Sequence, residues 1–253
     1  MRTDVLIKEG ERVDDLHRKG YVIIQDPKRF CFGVDAVILS GFARVKKGEK
    51  VLDLGTGTGI LPILLEGRTL GSHFTGLEIQ PESVEMARRS VALNELEEKV
   101  DIVEGDIKET AAIFGGSVFD VVTSNPPYMN EGGGLQNPSG PKAIARHEVL
   151  CTLEDVVKGA AKVLRPGGRF YMVHRPHRLT DIMCTLRQYG LEPKRLRLVC
   201  RRAGDAPSLL LLEARRGGRP GLDIAAPLCL EDGTGRPTAE LDNAYFRTKE
   251  TNA

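Results

Sequence analysis

The chain has no CxxC pair. Its five cysteines, Cys31, Cys151, Cys184, Cys200 and Cys229, are scattered, which argues against a zinc site or a disulfide framework and suits a reducing cytosol. Long apolar runs are also missing, so no transmembrane helix is expected and no membrane partner follows. The first ten residues mix charges of both signs around no apolar centre, unlike a secretory signal. Nor is there an excess of one charge overall: 36 Lys and Arg stand against 35 Asp and Glu, which argues against a non-specific nucleic-acid binder. What remains, at 253 residues, is one large α/β domain with additions, long enough to bury a full core.

The even balance hides an asymmetry. Residues 1–140 hold 16 basic against 22 acidic side chains, a net −6; residues 141–220 hold 17 against 7, a net +10; the last 33 hold 3 against 6, a net −3. The basic block also contains His147, His174 and His177. A local excess of this kind suits contacts to phosphates.

The order of elements points to alternating strands and helices. Residues 21–25 read as a strand turned by Asp26-Pro27, and Asp35 as the N-cap of a helix over 36–44. From residue 51 the pattern is regular: strands over 51–54, 74–79, 100–103, 119–124 and 169–174, with helices over 61–66, 81–96, 153–164 and 179–189. Pro81 opens one helix, and Thr152 caps another. The strands near 195–200 and 208–214 have no helix between them and should pair as a hairpin at the sheet edge. The expected fold is therefore a Rossmann-like, mostly parallel seven-stranded sheet with helices on both faces. Residues 1–48 read as a lead-in packed on the core, 49–215 as the core, and 216–253 as a polar, turn-rich tail. In such sheets ligands sit beyond the carboxyl ends of the strands, near the switch in strand order.

Four strand ends carry chemistry. The first is Asp53-Leu54-Gly55-Thr56-Gly57-Thr58-Gly59. Glycines let the backbone turn sharply and approach a ligand. A dinucleotide-binding loop places its third glycine five residues after the first; here that position is Ile60 and the third glycine is Gly59. The loop instead resembles the first motif of class I methyltransferases, where the close approach serves the methionine part of S-adenosylmethionine. The second end supplies Glu78, a carboxylate suited to a pair of ribose hydroxyls. The third is Gly105-Asp106-Ile107, in which Asp106 suits either an adenine amino group or a plain N-cap.

The fourth end is Asn125-Pro126-Pro127-Tyr128. Prolines stiffen the chain and remove N–H donors, leaving carbonyls as acceptors. The side-chain oxygen of Asn125 and the backbone oxygen of Pro126 form a pair of acceptors for an NH2 group, and Tyr128 offers a face on which a planar group stacks. An amide or aromatic amine nitrogen is a poor nucleophile because its lone pair is delocalised. Gripping both hydrogens favours the pyramidal nitrogen that attacks a methyl group in line. No metal is required.

Further segments carry a family resemblance. Glu11-Arg12-Val13-Asp14-Asp15-Leu16, Ile24-Gln25-Asp26 and Arg29-Phe30-Cys31-Phe32-Gly33-Val34-Asp35-Ala36 resemble the lead-in of bacterial tRNA adenine-N6 methyltransferases. So do Ala145-Arg146-His147-Glu148, Thr152-Leu153-Glu154-Asp155 and His174-Arg175-Pro176-His177-Arg178-Leu179. That group modifies the adenosine beside the anticodon of valine tRNA, and the chain looks closest to its Gram-positive branch. The resemblance spans about residues 5–240. It implies S-adenosylmethionine as cofactor, held by Asp53, Gly55, Thr56, Gly57 and Gly59, by Glu78 and Ile79, and by Asp106 and Ile107. It implies Asn125, Pro126 and Tyr128 at the target base, with Asn125 also near the cofactor. It further implies tRNA as partner, with Arg146, His147, Arg175 and Arg178 facing it. Asp35 remains open between N-cap and cofactor contact, and His147 between the site and the loop's own hydrogen bonds. Related chemistry is used by release-factor glutamine methyltransferases, which carry a helical N-terminal domain, and by DNA adenine methyltransferases, which carry a target-recognition domain; neither addition is visible here, and intact Asn125 and Tyr128 count against a third alternative, a catalytically silent RNA-binding module that keeps the fold.

Overall fold

The computed structural model describes residues 7–28, 31–126 and 151–246. The chain opens with an antiparallel pair, β1 (Arg12–Asp15) and β2 (Val22–Gln25), followed by helix α1 (Val34–Phe42). The alternating region runs β3 (Lys50–Leu54), α2 (Ile60–Arg68), β4 (His73–Glu78), α3 (Pro81–Leu93), β5 (Val100–Glu104), α4 (Thr110–Phe114) and β6 (Phe119–Ser124). It continues as α5 (Leu153–Val163), β7 (Leu164–His174), α6 (Leu179–Gln188), β8 (Leu191–Cys200), β9 (Leu209–Arg216), β10 (Asp223–Cys229) and α7 (Ala239–Ala244).

One sheet holds the order β10-β8-β9-β7-β6-β3-β4-β5. Strands β3 to β7 pair in parallel, and β9 pairs antiparallel with both β7 and β8. Successive residues of a strand point to opposite faces, and both faces are buried. Val51, Val121, Tyr171 and Val173 pack with α1, α2 and α3. Their neighbours Leu52, Val122, Phe170 and Met172 pack with α5 and α6. This explains why the strands read as continuous apolar runs.

The mostly parallel sheet and the β8–β9 hairpin match the expectation, but the strand count does not. The sheet has eight strands, because residues 223–229, read as part of a turn-rich tail, form β10 in parallel with β8. The hairpin is therefore not the edge. Pro227 hid this strand: proline is tolerated on an edge strand, and the register with β8 shifts between Ala225 and Leu228. β7 also begins earlier than expected, at Leu164, with residues 165–168 bulging between its pairings to Phe119 and Val121. Asp35 is not a helix cap. Gly33 occupies the N-cap of α1 without a side-chain bond, and Asp35 lies in the first turn, accepting from the Ala36 N–H at 3.0 Å. The Thr152 cap of α5 forms as expected, as a capping box with Asp155.

The hairpin β1–β2 docks on α3 through polar side chains. Asn94 accepts from the Val22 N–H at 2.8 Å and donates to the Val22 carbonyl at 2.7 Å, while Ser90 Oγ accepts from the Ile24 N–H at 3.0 Å. These bonds serve the exposed edge of β2, whose backbone groups would otherwise lie unpaired in the interior. The C-terminal end is tied down by Arg68, which donates to Ser40 Oγ at 3.0 Å and to the Ala244 carbonyl, and stacks 3.9 Å from the ring centre of Phe246. Among the described residues no helix is long and apolar enough to cross a membrane.

Candidate active site

The strand order reverses between β3 and β6. These neighbours pair Leu54 with Ser124, so the glycine loop and Asn125 leave the sheet side by side. Two cross-strand bonds fix the strand ends: Thr123 Oγ1 donates to Asp53 Oδ1 at 2.7 Å, and Ser124 Oγ donates to the Leu54 carbonyl at 2.9 Å. β6 stops there because the prolines that follow cannot donate to a ladder.

The glycine loop takes a shape that other residues resist. Gly55, Gly57 and Gly59 have φ of 71°, 55° and 84°, a left-handed conformation favoured by glycine. Gly59 is also the N-cap of α2, and a Cβ there would sit 3.2 Å from the Cβ of Ala87. The Leu77 carbonyl accepts from the N–H groups of Gly55 at 2.9 Å and Thr56 at 3.0 Å. Thr56 then folds against Gly76, where an added Cβ would lie 2.6 Å from its methyl carbon.

Glu78, at the end of β4, is only 5% exposed. One carboxylate oxygen accepts from the Gly57 N–H at 2.9 Å; the other accepts from the N–H groups of Ile79 and Gln80, each at 3.0 Å. The carboxylate is thus aimed into the loop by backbone donors and stands where a sugar's hydroxyl pair is expected. Beyond β5, Asp106 caps the 3₁₀ turn Ile107–Glu109, accepting from the Lys108 N–H at 2.9 Å. Of the two readings of Asp106, the N-cap is the one formed here. Ile107 packs between the loop and α5: its side chain lies 3.8 Å from where a Cβ of Gly55 would be, and its carbonyl oxygen lies 3.0 Å from where a Cβ of Gly159 would be, a tight contact. A shaped glycine loop, a buried strand-end carboxylate and an apolar wall with an acidic neighbour are the groups in which the sequence resemblance expects S-adenosylmethionine.

Asp53 is fully enclosed. Burial pushes its carboxyl from the ordinary 3.8 up to about 7, with the Thr123 hydroxyl pulling the other way and the charge of Glu78 adding to the rise. Between these values the unfolded chain is ionised and the folded chain is not, so stability falls as pH rises from about 4 to about 7. Asp53→Asn keeps an acceptor for Thr123 and removes the titration. Urea unfolding of both proteins should show the wild type losing on the order of 2–4 kcal/mol relative to the variant across that window. A pH-independent difference would contradict it.

Asn125 and Pro126 are half-buried at the mouth of β6. Tyr128, Arg146 and His147 lie outside the described residues. Arg175 and Arg178 follow the end of β7, and β7 runs parallel to β6 with Met172 opposite Ser124, so both belong to the same end of the sheet as Asn125. Arg175 donates to the Ser208 carbonyl at 3.1 Å, and Arg178 pairs with Asp181 at 2.8 Å. His174 is buried, and that burial lowers its pKa to about 4; its Nδ1 accepts from the Arg175 N–H at 2.8 Å. It is therefore a neutral structural group at neutral pH.

Part of the basic block is paired. Arg165, Arg169, Arg178, Arg187, Arg195, Arg197, Arg201 and Arg202 each meet a carboxylate. Four of those partners, Glu49, Asp120, Glu231 and Glu240, come from the acidic segments outside the block. The charge asymmetry along the chain is thus partly cancelled by folding. Sequence reasoning also passed over Thr123, Ser124 and Gln25. The first two are ordinary strand residues by pattern, and only the pairing of β3 with β6 reveals what their hydroxyls do.

Comparison with known proteins agrees with this geometry. Residues 45–193 match a family model described as a methyltransferase domain. A tRNA1(Val) (adenine(37)-N6)-methyltransferase of Porphyromonas gingivalis is 31% identical over 72% of this chain and 73% of its own length. One from Tolumonas auensis is 27% identical over 90% of this chain and 95% of its own. Among solved structures, a predicted O-methyltransferase of Agrobacterium tumefaciens superposes with a TM-score of 0.68 at 23% identity, covering 83% of this chain and 95% of that one, and so shares the fold. A strand order that reverses between β3 and β6, a left-handed glycine loop on one side of that reversal and Asn125-Pro126 on the other agree with these matches: the chain is a methyltransferase-domain protein and belongs to the tRNA1(Val) (adenine(37)-N6)-methyltransferase family.

Proposed function

We propose that this protein transfers a methyl group to the exocyclic N6 amino group of an adenosine in tRNA, beside the anticodon of a valine tRNA, in the cytoplasm. The observation that carries the reading is the departure of Asn125-Pro126 from β6 directly beside the glycine loop from β3. Asp53, Gly55, Thr56, Gly57, Gly59, Glu78, Ile79, Asp106 and Ile107 are the residues that would hold S-adenosylmethionine, which when bound supplies an electrophilic methyl on sulfur. The chain's own part is positioning. The Asn125 side-chain oxygen and the Pro126 carbonyl accept the two amino hydrogens and draw the nitrogen toward a pyramidal shape. Tyr128 stacks on the base. The extra proton is lost to solvent after transfer, so no histidine or metal has to act as a base.

For the RNA, Arg175 and Arg178 stand at the same end of the sheet as Asn125; Arg146 and His147 are proposed with them on the sequence resemblance alone. The pair of half-buried Arg178 with exposed Asp181 is worth little by itself, so exchanging Asp181 for a phosphate would cost the arginine little. The protein is incubated with labelled S-adenosylmethionine and, separately, unmodified tRNA, duplex DNA or a release factor. Label is expected in tRNA, and tRNA affinity should fall by about 10-fold or more between 50 and 200 mM salt. Label only in the release factor or only in DNA would overturn the reading, and a flat salt response would remove the arginines from it.

A further inference from the structure

Gln25 is fully buried at the end of β2, and nothing in the reading above uses it. Its Nε2 donates to the Ile24 carbonyl and to Thr58 Oγ1, each at 2.9 Å, while its Oε1 accepts from the Phe32 N–H at 3.0 Å. The orientation of this amide is fixed by chemistry: the Phe32 N–H can only donate and the Ile24 carbonyl can only accept, so the two ends cannot exchange. Thr58 lies inside the glycine loop, between Gly57 and Gly59, both in the left-handed conformation. Glycines confer freedom as well as reach, so a loop of this kind must be held to keep one shape. Glu78 holds it at the Gly57 N–H. Gln25 holds it one residue further on, from a different part of the chain. The same side chain grips Phe32, beside the Gly33 cap that opens α1. Three segments therefore meet on one amide: the hairpin, the turn into α1 and the glycine loop.

We infer that Gln25 is a positioning residue that locks the glycine loop in its cofactor-ready shape and couples that loop to the start of α1. The inference rests on the loop being the cofactor site, as proposed above. Gln25→Leu keeps approximate size and removes all three bonds; Thr58→Val removes only the loop's partner and leaves the lead-in intact. In the protein without cofactor, hydrogen exchange at the amides of residues 57–60 should accelerate by about tenfold in either variant, the value of roughly one hydrogen bond. Binding of S-adenosylhomocysteine, followed by calorimetry, should weaken by about tenfold. The KM for S-adenosylmethionine should rise in step, with kcat within about twofold, as expected when binding is lost equally from the ground state and the transition state. The double variant should be no worse than the weaker single one, because both remove the same link.

Unchanged exchange and affinity in both single variants, or additive losses in the double, would overturn the role. So would a lower melting temperature for Gln25→Leu with normal loop exchange and affinity, which marks packing alone. Should Gln25→Leu fail to fold, Thr58→Val decides by the same measurements. A wild-type protein that binds no S-adenosylhomocysteine would defeat the cofactor reading instead, and the exchange rates of the unliganded loop would still judge Gln25.

Discussion

Asn125→Ala should lower methyl transfer by about 10²–10³-fold while the affinity for S-adenosylhomocysteine moves by less than about threefold. The asymmetry follows from where the residue stands. Asn125 leaves β6 beyond Ser124, and Ser124 is anchored to the Leu54 carbonyl through its own hydroxyl, so the end of β6 keeps that tie to β3 in the variant. What is lost is one of the two acceptors proposed for the amino group. An acceptor that strengthens as the nitrogen becomes pyramidal acts on the transition state more than on the bound substrate, so the loss should fall on kcat rather than on KM. Single-turnover measurements separate the two. A variant with undiminished turnover removes Asn125 from the chemistry, and one that no longer binds cofactor makes it a structural part of the pocket.

Glu78→Ala should have the opposite signature: cofactor affinity falls by about 100-fold, and residual turnover at saturating cofactor is less affected. The carboxylate accepts from three backbone N–H groups, those of Gly57, Ile79 and Gln80. Bonds to a charged acceptor are worth about 1.5–3 kcal/mol each, and a donor left unpaired in a buried place costs a comparable amount. Removing the carboxylate frees the loop at Gly57 and deletes the acceptors proposed for the ribose. Glu78→Gln should fall between the two proteins, since its amide nitrogen must face at least one N–H. The check is calorimetric titration with S-adenosylhomocysteine. Equal affinity in Glu78→Ala and the wild type would remove Glu78 from the cofactor site.

Much of this arrangement was legible before any coordinates, for identifiable reasons. Strands buried on both faces read as apolar runs, and Pro126 ends β6 wherever the rest of the chain lies. The spacing of Gly55, Gly57 and Gly59 excluded the dinucleotide pattern by itself. Local signals misled where tertiary context decides. Pro227 made β10 look like tail, although an edge strand accommodates a proline. Asp35 had the composition of a cap, yet Gly33 took the position. Folding also pairs five arginines of the +10 block, Arg165, Arg169, Arg197, Arg201 and Arg202, with Asp120, Glu49, Glu240 and Glu231 from distant segments, which charge along the chain could not show. Gln25 was legible only as part of a family resemblance; its bond to Thr58, 33 residues away, appears only in the folded chain.

The central claim is methylation of adenine N6 in tRNA, and the identity of the modified nucleoside tests it most directly. An unmodified valine tRNA is incubated with the protein and S-adenosylmethionine, then digested to nucleosides and analysed by mass spectrometry beside N6- and N1-methyladenosine standards. The account predicts N6-methyladenosine, located in the anticodon-loop fragment and missing when Asn125→Ala replaces the wild type. Methylation at a ring nitrogen, or a tRNA left unmodified while a release-factor glutamine gains the methyl group, would contradict it.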